Sequence, residues 1–251
     1  MFSITEAVDN YISSVTEDRE PDGKWHPSSM FGCTRQAIYQ VRGITPTEAT
    51  DAISKRRFYI GHRLHEAVQR AVESAKDVRQ VYPEFRIDVP ERGVVGHGDI
   101  LVELSSGKWI VVEVKSIKKM GMRMGLPKEQ HVSQAMIYAW AVKNYGCFIV
   151  IDGAEVYFPP LGDLLLGVHM VYVEKEDLTI AEIPLDYQPD WDESVEERLD
   201  LLELYRGDPD SLPPRLPAGA KGKVHWMCNY CAFRTKCYDV DRSEVKPKGE
   251  F

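Results

Sequence analysis

Gly96-His97-Gly98-Asp99-Ile100-Leu101-Val102 and, past a turn at Gly107, Ile110-Val111-Val112-Glu113-Val114-Lys115 decide how this chain reads. Both runs have the alternating, β-branched character of strands, joined by a short turn that makes them neighbours. Residues two apart on a strand share a face, so Glu113 and Lys115 point the same way. Asp99 heads the first run, where an adjacent strand brings it level with them. Two carboxylates and a lysine then converge at one end of a sheet. Such a set suits metal-dependent phosphodiester hydrolysis. Asp99 and Glu113 supply hard oxygens for Mg²⁺ or Mn²⁺, and Lys115 orients water or stabilises charge on the phosphoryl oxygens. An isolated Glu-x-Lys is more often the solvated face of an amphipathic strand. Here Val111, Val112 and Val114 indicate burial, and Asp99 supplies the missing partner.

Outward from this centre the period changes. Val81–Val89 and Val94–Leu104 alternate as strands, and a helical pattern runs from Thr47 to about Ala75, with Phe58, Leu64, Ala67, Val68, Ala71 and Val72 as its apolar face. Nearer the N-terminus, Ser3 caps a short amphipathic helix with Val8, Tyr11, Ile12 and Val15 on one face. A loop covers Glu17–Trp25, and a helix opening at Ser28 or Ser29 passes through Cys33, Ala37 and Ile38 to stop at Gly43. In the other direction, a mobile Gly/Met/Lys-rich connection from Met120 to Lys128 precedes a helix at His131–Tyr145 and a strand at Cys147–Ile151. An Asp152-Gly153 turn, a strand pair at Leu166–Val173 and Leu178–Pro184, and a helix at Glu193–Tyr205 follow. The Pro/Gly-rich Leu212–Gly219 then delivers a cysteine-rich tail. Helices around a central group of strands make the class α/β.

With 251 residues, 43% hydrophobic and 28% charged, the chain can bury the core of one large domain or a domain with an appended lobe. A net charge of −8 argues against a protein that coats long stretches of nucleic acid by electrostatics alone, but not against one that grips a few phosphates locally. Nothing approaches an apolar span of about 18 residues, so no transmembrane helix is expected. Met1–Glu6 lacks a basic stretch followed by an apolar core, so no signal peptide is expected, and reduced cysteines then point to the cytoplasm.

Cys33 stands in Gly32-Cys33-Thr34-Arg35, and Cys228-x2-Cys231-x5-Cys237 lies near the other end. A Cys-x2-Cys pair turns two sulfurs toward one centre, a third nearby closes most of a shell, and Cys33 completes it. Four thiolates suit Zn²⁺ or an iron–sulfur cluster. A disulfide framework fits poorly with five cysteines and no leader, and a thiol redox protein on Cys228-x2-Cys231 leaves two cysteines over. Cys147 lies in an apolar strand-like run and reads as a small buried hydrophobe outside the site.

His65, in Gly61-His62-Arg63-Leu64-His65, is a candidate third metal ligand, and its nitrogen shifts preference toward Mn²⁺. A lone helical histidine is more often structural. Gln134 and Tyr138, four apart on a helix, share a face and suit holding a phosphate or stacking on a base, with an interhelical hydrogen bond the ordinary alternative. Arg56, Arg57, Arg63, Lys118, Lys119, Arg123 and Lys128 flank these residues. They are consistent with a DNA path, although such clusters are more often solvated surface.

Gly61-x3-His65, Gly96-x2-Asp99, Glu113-x-Lys115 and Gln134-x3-Tyr138, in that order, sit between Cys33 and the Cys228, Cys231, Cys237 group. Together they resemble the RecB-like branch of the PD-(D/E)XK nucleases, and within it the iron–sulfur group of CRISPR-associated RecB-like exonucleases and AddB-type nucleases. The resemblance runs from about Phe31 to Cys237. It implies a restriction-endonuclease-like central mixed sheet flanked by helices, a single nuclease domain over 1–251 with its core at about 47–190. An iron–sulfur lobe would join segments at about 26–43 and 212–240. It further implies a structural 4Fe–4S cluster on Cys33, Cys228, Cys231 and Cys237, with Mg²⁺ or Mn²⁺ on His65, Asp99 and Glu113. Catalysis would fall to Asp99, Glu113 and Lys115, and DNA contact to Gln134 and Tyr138. The substrate would be single-stranded DNA or DNA ends, with recombination, repair or CRISPR-adaptation partners. Gly98, not proline, precedes Asp99, and no Gly-x4-Gly-Lys-Ser/Thr phosphate loop indicates a helicase. A non-catalytic DNA-end-binding protein with a zinc or iron–sulfur staple is the reading from another class. The presence of both Asp99 and Lys115 favours the enzyme.

Overall fold

The computed structural model describes residues 3–15, 21–208, 210–217 and 224–238. Helices α1 (Ile4–Val15), α2 (Pro27–Met30), α3 (Thr34–Val41) and α4 (Ala52–Glu73) precede strands β1 (Val78–Pro83), β2 (Arg86–Val89), β3 (Val94–His97), β4 (Ile100–Leu104) and β5 (Trp109–Ile117). After them come α5 (Lys119–Arg123), α6 (Glu129–Asn144), β6 (Cys147–Ile151), β7 (Ala154–Phe158), β8 (Leu165–Glu174) and β9 (Ile180–Asp186). Helices α7 (Asp190–Arg206) and α8 (Arg234–Tyr238) complete the order. The expected class is present: a central mixed sheet, ordered β1-β4-β5-β8-β9, with helices on both faces. Within it β5 pairs antiparallel with β4 and parallel with β8.

Two expected strands are each bent across two sheets. Val81–Val89 breaks into β1 and β2, and Val94–Leu104 into β3 and β4, so that β3-β2-β6-β7 forms a second, four-stranded sheet. Glu84 at φ 50° makes the first bend. Gly98-Asp99 makes the second, and the two bends stay bonded: Glu84 N–H donates to Asp99 O at 2.8 Å and Gly98 N–H to Phe85 O at 2.9 Å. The fully buried Phe85 ring lies where a side chain at Gly98 would go, with its Cζ 2.2 Å from an ideal Cβ. The bend therefore needs a glycine just before Asp99.

Helix α4 covers one face of the central sheet, with Leu64, Val68 and Val72 on Ile100, Val102, Val112 and Val114. Phe58, expected on that face, is instead exposed. The other face carries the larger core, crossed by α6, which is buried from Ala135 to Val142. Helix α4 starts later than Thr47. Asp51 caps it by accepting from Ser54 N–H at 2.7 Å, while Thr47 and Glu48 N–H donate to Ala232 O at 2.8 and 2.9 Å. The helix expected through Cys33 is interrupted at residues 31–33, and Cys33 becomes the residue preceding α3. The 120–128 connection contains α5, and the Asp152-Gly153 turn joins β6 to β7. Residues 17–20 of the expected loop, Ala218 and Gly219 of the linker, and 218–223 and 239–240 of the expected lobe lie outside the described residues.

Gly98→Ala forces the Phe85 ring or the bend to shift and is expected to cost about 1–3 kcal/mol, as overpacking does. Urea unfolding followed by circular dichroism measures it, and an unchanged midpoint would contradict the close approach.

Candidate active site

The second bend and β5 bring five of the residues singled out in the sequence together. Asp99 Oδ2 accepts from Val114 N–H at 2.7 Å, which fixes the carboxylate beside Glu113 and Lys115. Glu113 is only 1% exposed. Its Oε1 accepts from Lys115 Nζ at 2.5 Å, and the same ammonium donates to Gln134 Oε1 on α6 at 3.1 Å. The other carboxylate oxygen, Glu113 Oε2, is buried with no hydrogen-bond partner. From α4, His65 Nδ1 stands 3.3 Å from Asp99 Oδ1. Gly61, one turn before His65, lets the helix come this close, since a Cβ there would meet Ser116 Oγ at 3.2 Å.

Burial and charge push the two carboxyl groups apart. Burial lifts Glu113, the Asp99 charge adds to it, and Lys115 opposes only in part, leaving the carboxyl at about 7. Burial also lifts Asp99, but His65, Lys115 and the Val114 N–H outweigh it and hold this carboxyl below its ordinary value. Lys115 is pushed down by burial and more strongly up by Glu113 and Asp99, so it stays an ammonium. Among the described residues, no group of three or more His, Cys, Asp or Glu is placed to hold a metal ion outright. The donor chemistry still fits a hard divalent cation. An unsatisfied buried carboxylate oxygen is costly, and two carboxylates with one imidazole are the set such an ion takes.

Tyr138 does not join this group. It is 3% exposed, and its ring stands edge-on to Phe85, 5.9 Å between centroids, beneath Gly96. A buried ring has no face to offer a base, so the stacking expected of it is corrected. His131, unremarked in the sequence, lies one turn before Gln134 with Nδ1 3.3 Å from Tyr172 Oη. A lone histidine at a helix start carries no pattern that would single it out. His131, Gln134 and Lys115 line a cleft of about 410 Å³ together with Trp226, Met227 and Tyr230. Of the flanking cations, Arg56 pairs with Asp9, Arg63 with Glu66 and Lys119 with Asp177. Arg57 and Lys118 lie by Lys175, whose ammonium is pushed down by burial and by their charges.

Cys33, Cys228, Cys231 and Cys237 line one small cavity together with Arg35, Arg215 and Arg234. All are free thiols, and so is Cys147, which is buried on β6 with its thiol pushed up to about 12 by burial. Burial, with the charges of the other three cysteines, pushes the Cys231 thiol up to about 11. The tail carrying three of them is held by its own contacts. Ala232 O takes the two N–H groups before α4, Arg35 Nε donates to Pro213 O at 2.8 Å, and Tyr39 meets Phe233 with centroids 5.4 Å apart. Four thiols and three arginines thus line one cavity, but the described sulfurs are not themselves gathered closely enough to hold a metal ion as they stand.

A profile of the PD-(D/E)XK nuclease superfamily matches residues 31–238. No curated protein gives a significant match. Among solved structures, the chain is similar to LHK-Exo in complex with dAMP, at 17% identity over 74% of this chain and 88% of that one, TM-score 0.47. It is similar to the alkaline exonuclease LHK-Exo from Laribacter hongkongensis, at 14% identity over 79% and 92%, TM-score 0.41. It is also similar to SSO0001, at 15% identity over 96% and 95%, TM-score 0.46. Likenesses at this level say nothing of the chemistry of this chain.

The His131 imidazole is held down at about 4 by burial and then by the charges of Lys115 and Lys128. Lys115→Met removes one of those charges and is expected to raise the imidazole pKa, while burial still holds it below its ordinary value. Titration of the imidazole nitrogens by NMR reads it, and an unmoved value would separate His131 from Lys115.

Proposed function

The chain belongs to the PD-(D/E)XK nuclease superfamily, and from that footing we propose that it is a divalent-metal-dependent DNA nuclease of the RecB-like iron–sulfur branch, an exonuclease on single-stranded DNA or overhangs. The observation that carries this reading is the buried, unpartnered Glu113 Oε2 beside Asp99 and the Lys115 ammonium. Asp99, Glu113 and His65 would hold Mg²⁺ or Mn²⁺. Such an ion supplies charge neutralisation at the phosphate and lowers the pKa of water. Lys115, kept protonated by the carboxylates, stabilises negative charge growing on the phosphoryl oxygens, and Gln134 restrains it by accepting from it. A site set between α4 and α6 favours a thin, flexible strand, and a net charge of −8 gives a duplex little general attraction.

Lys115→Ala is expected to lower the rate of hydrolysis at least about 100-fold, as loss of a transition-state contact does, with DNA affinity changing much less. Purified protein, end-labelled DNA and Mn²⁺ test it, with single strands and blunt duplex run side by side. A near-normal rate for the variant would remove β5 from the chemistry, and equal rates on both substrates would remove the single-strand preference.

For the cysteines the same reading assigns a structural 4Fe–4S cluster, supported by four free thiols on one cavity. Anaerobically purified protein is expected to be brown and to contain about four irons per chain. Stoichiometric zinc in colourless protein would show a zinc staple instead.

A further inference from the structure

The cleft beside Lys115 and Gln134 has a character of its own. Its volume of about 410 Å³ lies within the range of small-molecule pockets, roughly 300–1,000 Å³. Among the described residues lining it there is no carboxylate, and Lys115 is the one ammonium or guanidinium. The rest is chiefly amide, hydroxyl and aromatic, with Gln36, Gln130, Ser28 and Ser29 among the lining residues, together with the sulfurs of Cys33 and Met227. That is poor chemistry for gripping a phosphate and good chemistry for a flat, polar-edged ring.

Trp226 and Tyr230 line the same cleft as Lys115 and are 61% and 70% exposed. Two large aromatics held open to solvent on one cleft wall signal a ligand more than a core. The wall is also fastened. Gln130 Nε2 on α6 lies 3.3 Å from Met227 Sδ, and the Met227 methyl lies 3.8 Å from where a Cβ on Gly32 would be. Cys228 falls between the two aromatics in sequence and lines the cysteine cavity.

We propose that this cleft is a nucleobase subsite, in which an unpaired base of the strand held at Asp99, Glu113 and Lys115 stacks on Trp226 and Tyr230 and turns its polar edge to Gln36 and Gln130. The subsite rests on the nuclease reading for the strand it serves, and it deepens that reading by naming what is recognised beside the phosphate. Bases inside a duplex are stacked on one another and cannot enter, so the subsite selects single strands. The thiol-bearing tail then has a second task, to hold an aromatic wall at a set distance from Lys115.

The test uses the full chain in a chelator, so that nothing is cut. Fluorescence anisotropy compares a short single-stranded oligonucleotide with an abasic one of equal length and equal phosphate number. The wild type is expected to bind the base-bearing strand about tenfold or more tightly than the abasic one, in line with stacking on exposed aromatics. Trp226→Ala should lose most of that preference with little change toward the abasic strand, Tyr230→Ala should lose part, and Trp226→Phe should restore it. A Trp226→Ala protein that keeps the full preference, or that weakens equally toward both strands, would overturn the subsite. The hydrolysis assay of Lys115→Ala decides the nuclease reading separately, because no cutting enters the binding comparison.

Discussion

A carboxylate with almost no access to water is the constraint on which this molecule turns. Glu113 sits on the middle strand of the central sheet, just past the end of the β4 pairing, with β8 paired on one side and the Asp99 carboxylate taking the Val114 N–H on the other. An ionised group there is tolerable only if charge and hydrogen bonds compensate it. Lys115 does so for one oxygen and nothing does for the other. Both helical layers answer to that imbalance. Helix α4, on one face, sends in His65 past Gly61, and α6, on the other, sends in Gln134 to hold the ammonium. Relieving the strain by replacing Glu113 with an apolar residue would give a quieter core and leave His65, Asp99 and Lys115 facing nothing.

Much of this was legible in the residues, and the losses have physical reasons. A two-residue period places Glu113 and Lys115 on one face whatever the rest of the chain does. The split into two sheets left no such trace, because alternation runs unbroken through Glu84 and Gly98 while the backbone turns beneath it. Helical spacing likewise gives direction around an axis and not depth. Gln134 and Tyr138 share a face, yet α6 sinks into the core after its second turn, so one residue reaches the cleft and the other is sealed under Phe85. Strand β7 escaped notice because four of its five residues are exposed and show no buried alternation.

Residues within 33–48 and 213–237, far apart in sequence, meet beside the site. Closing so long a loop costs little more entropy than closing a shorter one, since the cost grows only with the logarithm of length. The contacts that close it are modest: two amides on one carbonyl, an arginine on a proline carbonyl, and an aromatic pair. Those contacts bring the tail to the place where four thiols gather. A centre bound there would lock what the polypeptide alone only docks. The wall of the cleft is part of the same short segment, so its order and that of the cysteines are a single property.

Phe85 over Gly98 also bears on which residue can precede Asp99. A proline at position 98, the residue for which the superfamily is lettered, would lose the N–H that donates to Phe85 O and would drive its ring into the phenyl group. In this chain positions 85 and 98 therefore form one steric unit: proline before the aspartate fits only if the large ring across from it is reduced as well. The ring that fills the bend is thus also what fixes the residue in front of the Asp99 carboxylate as the smallest one.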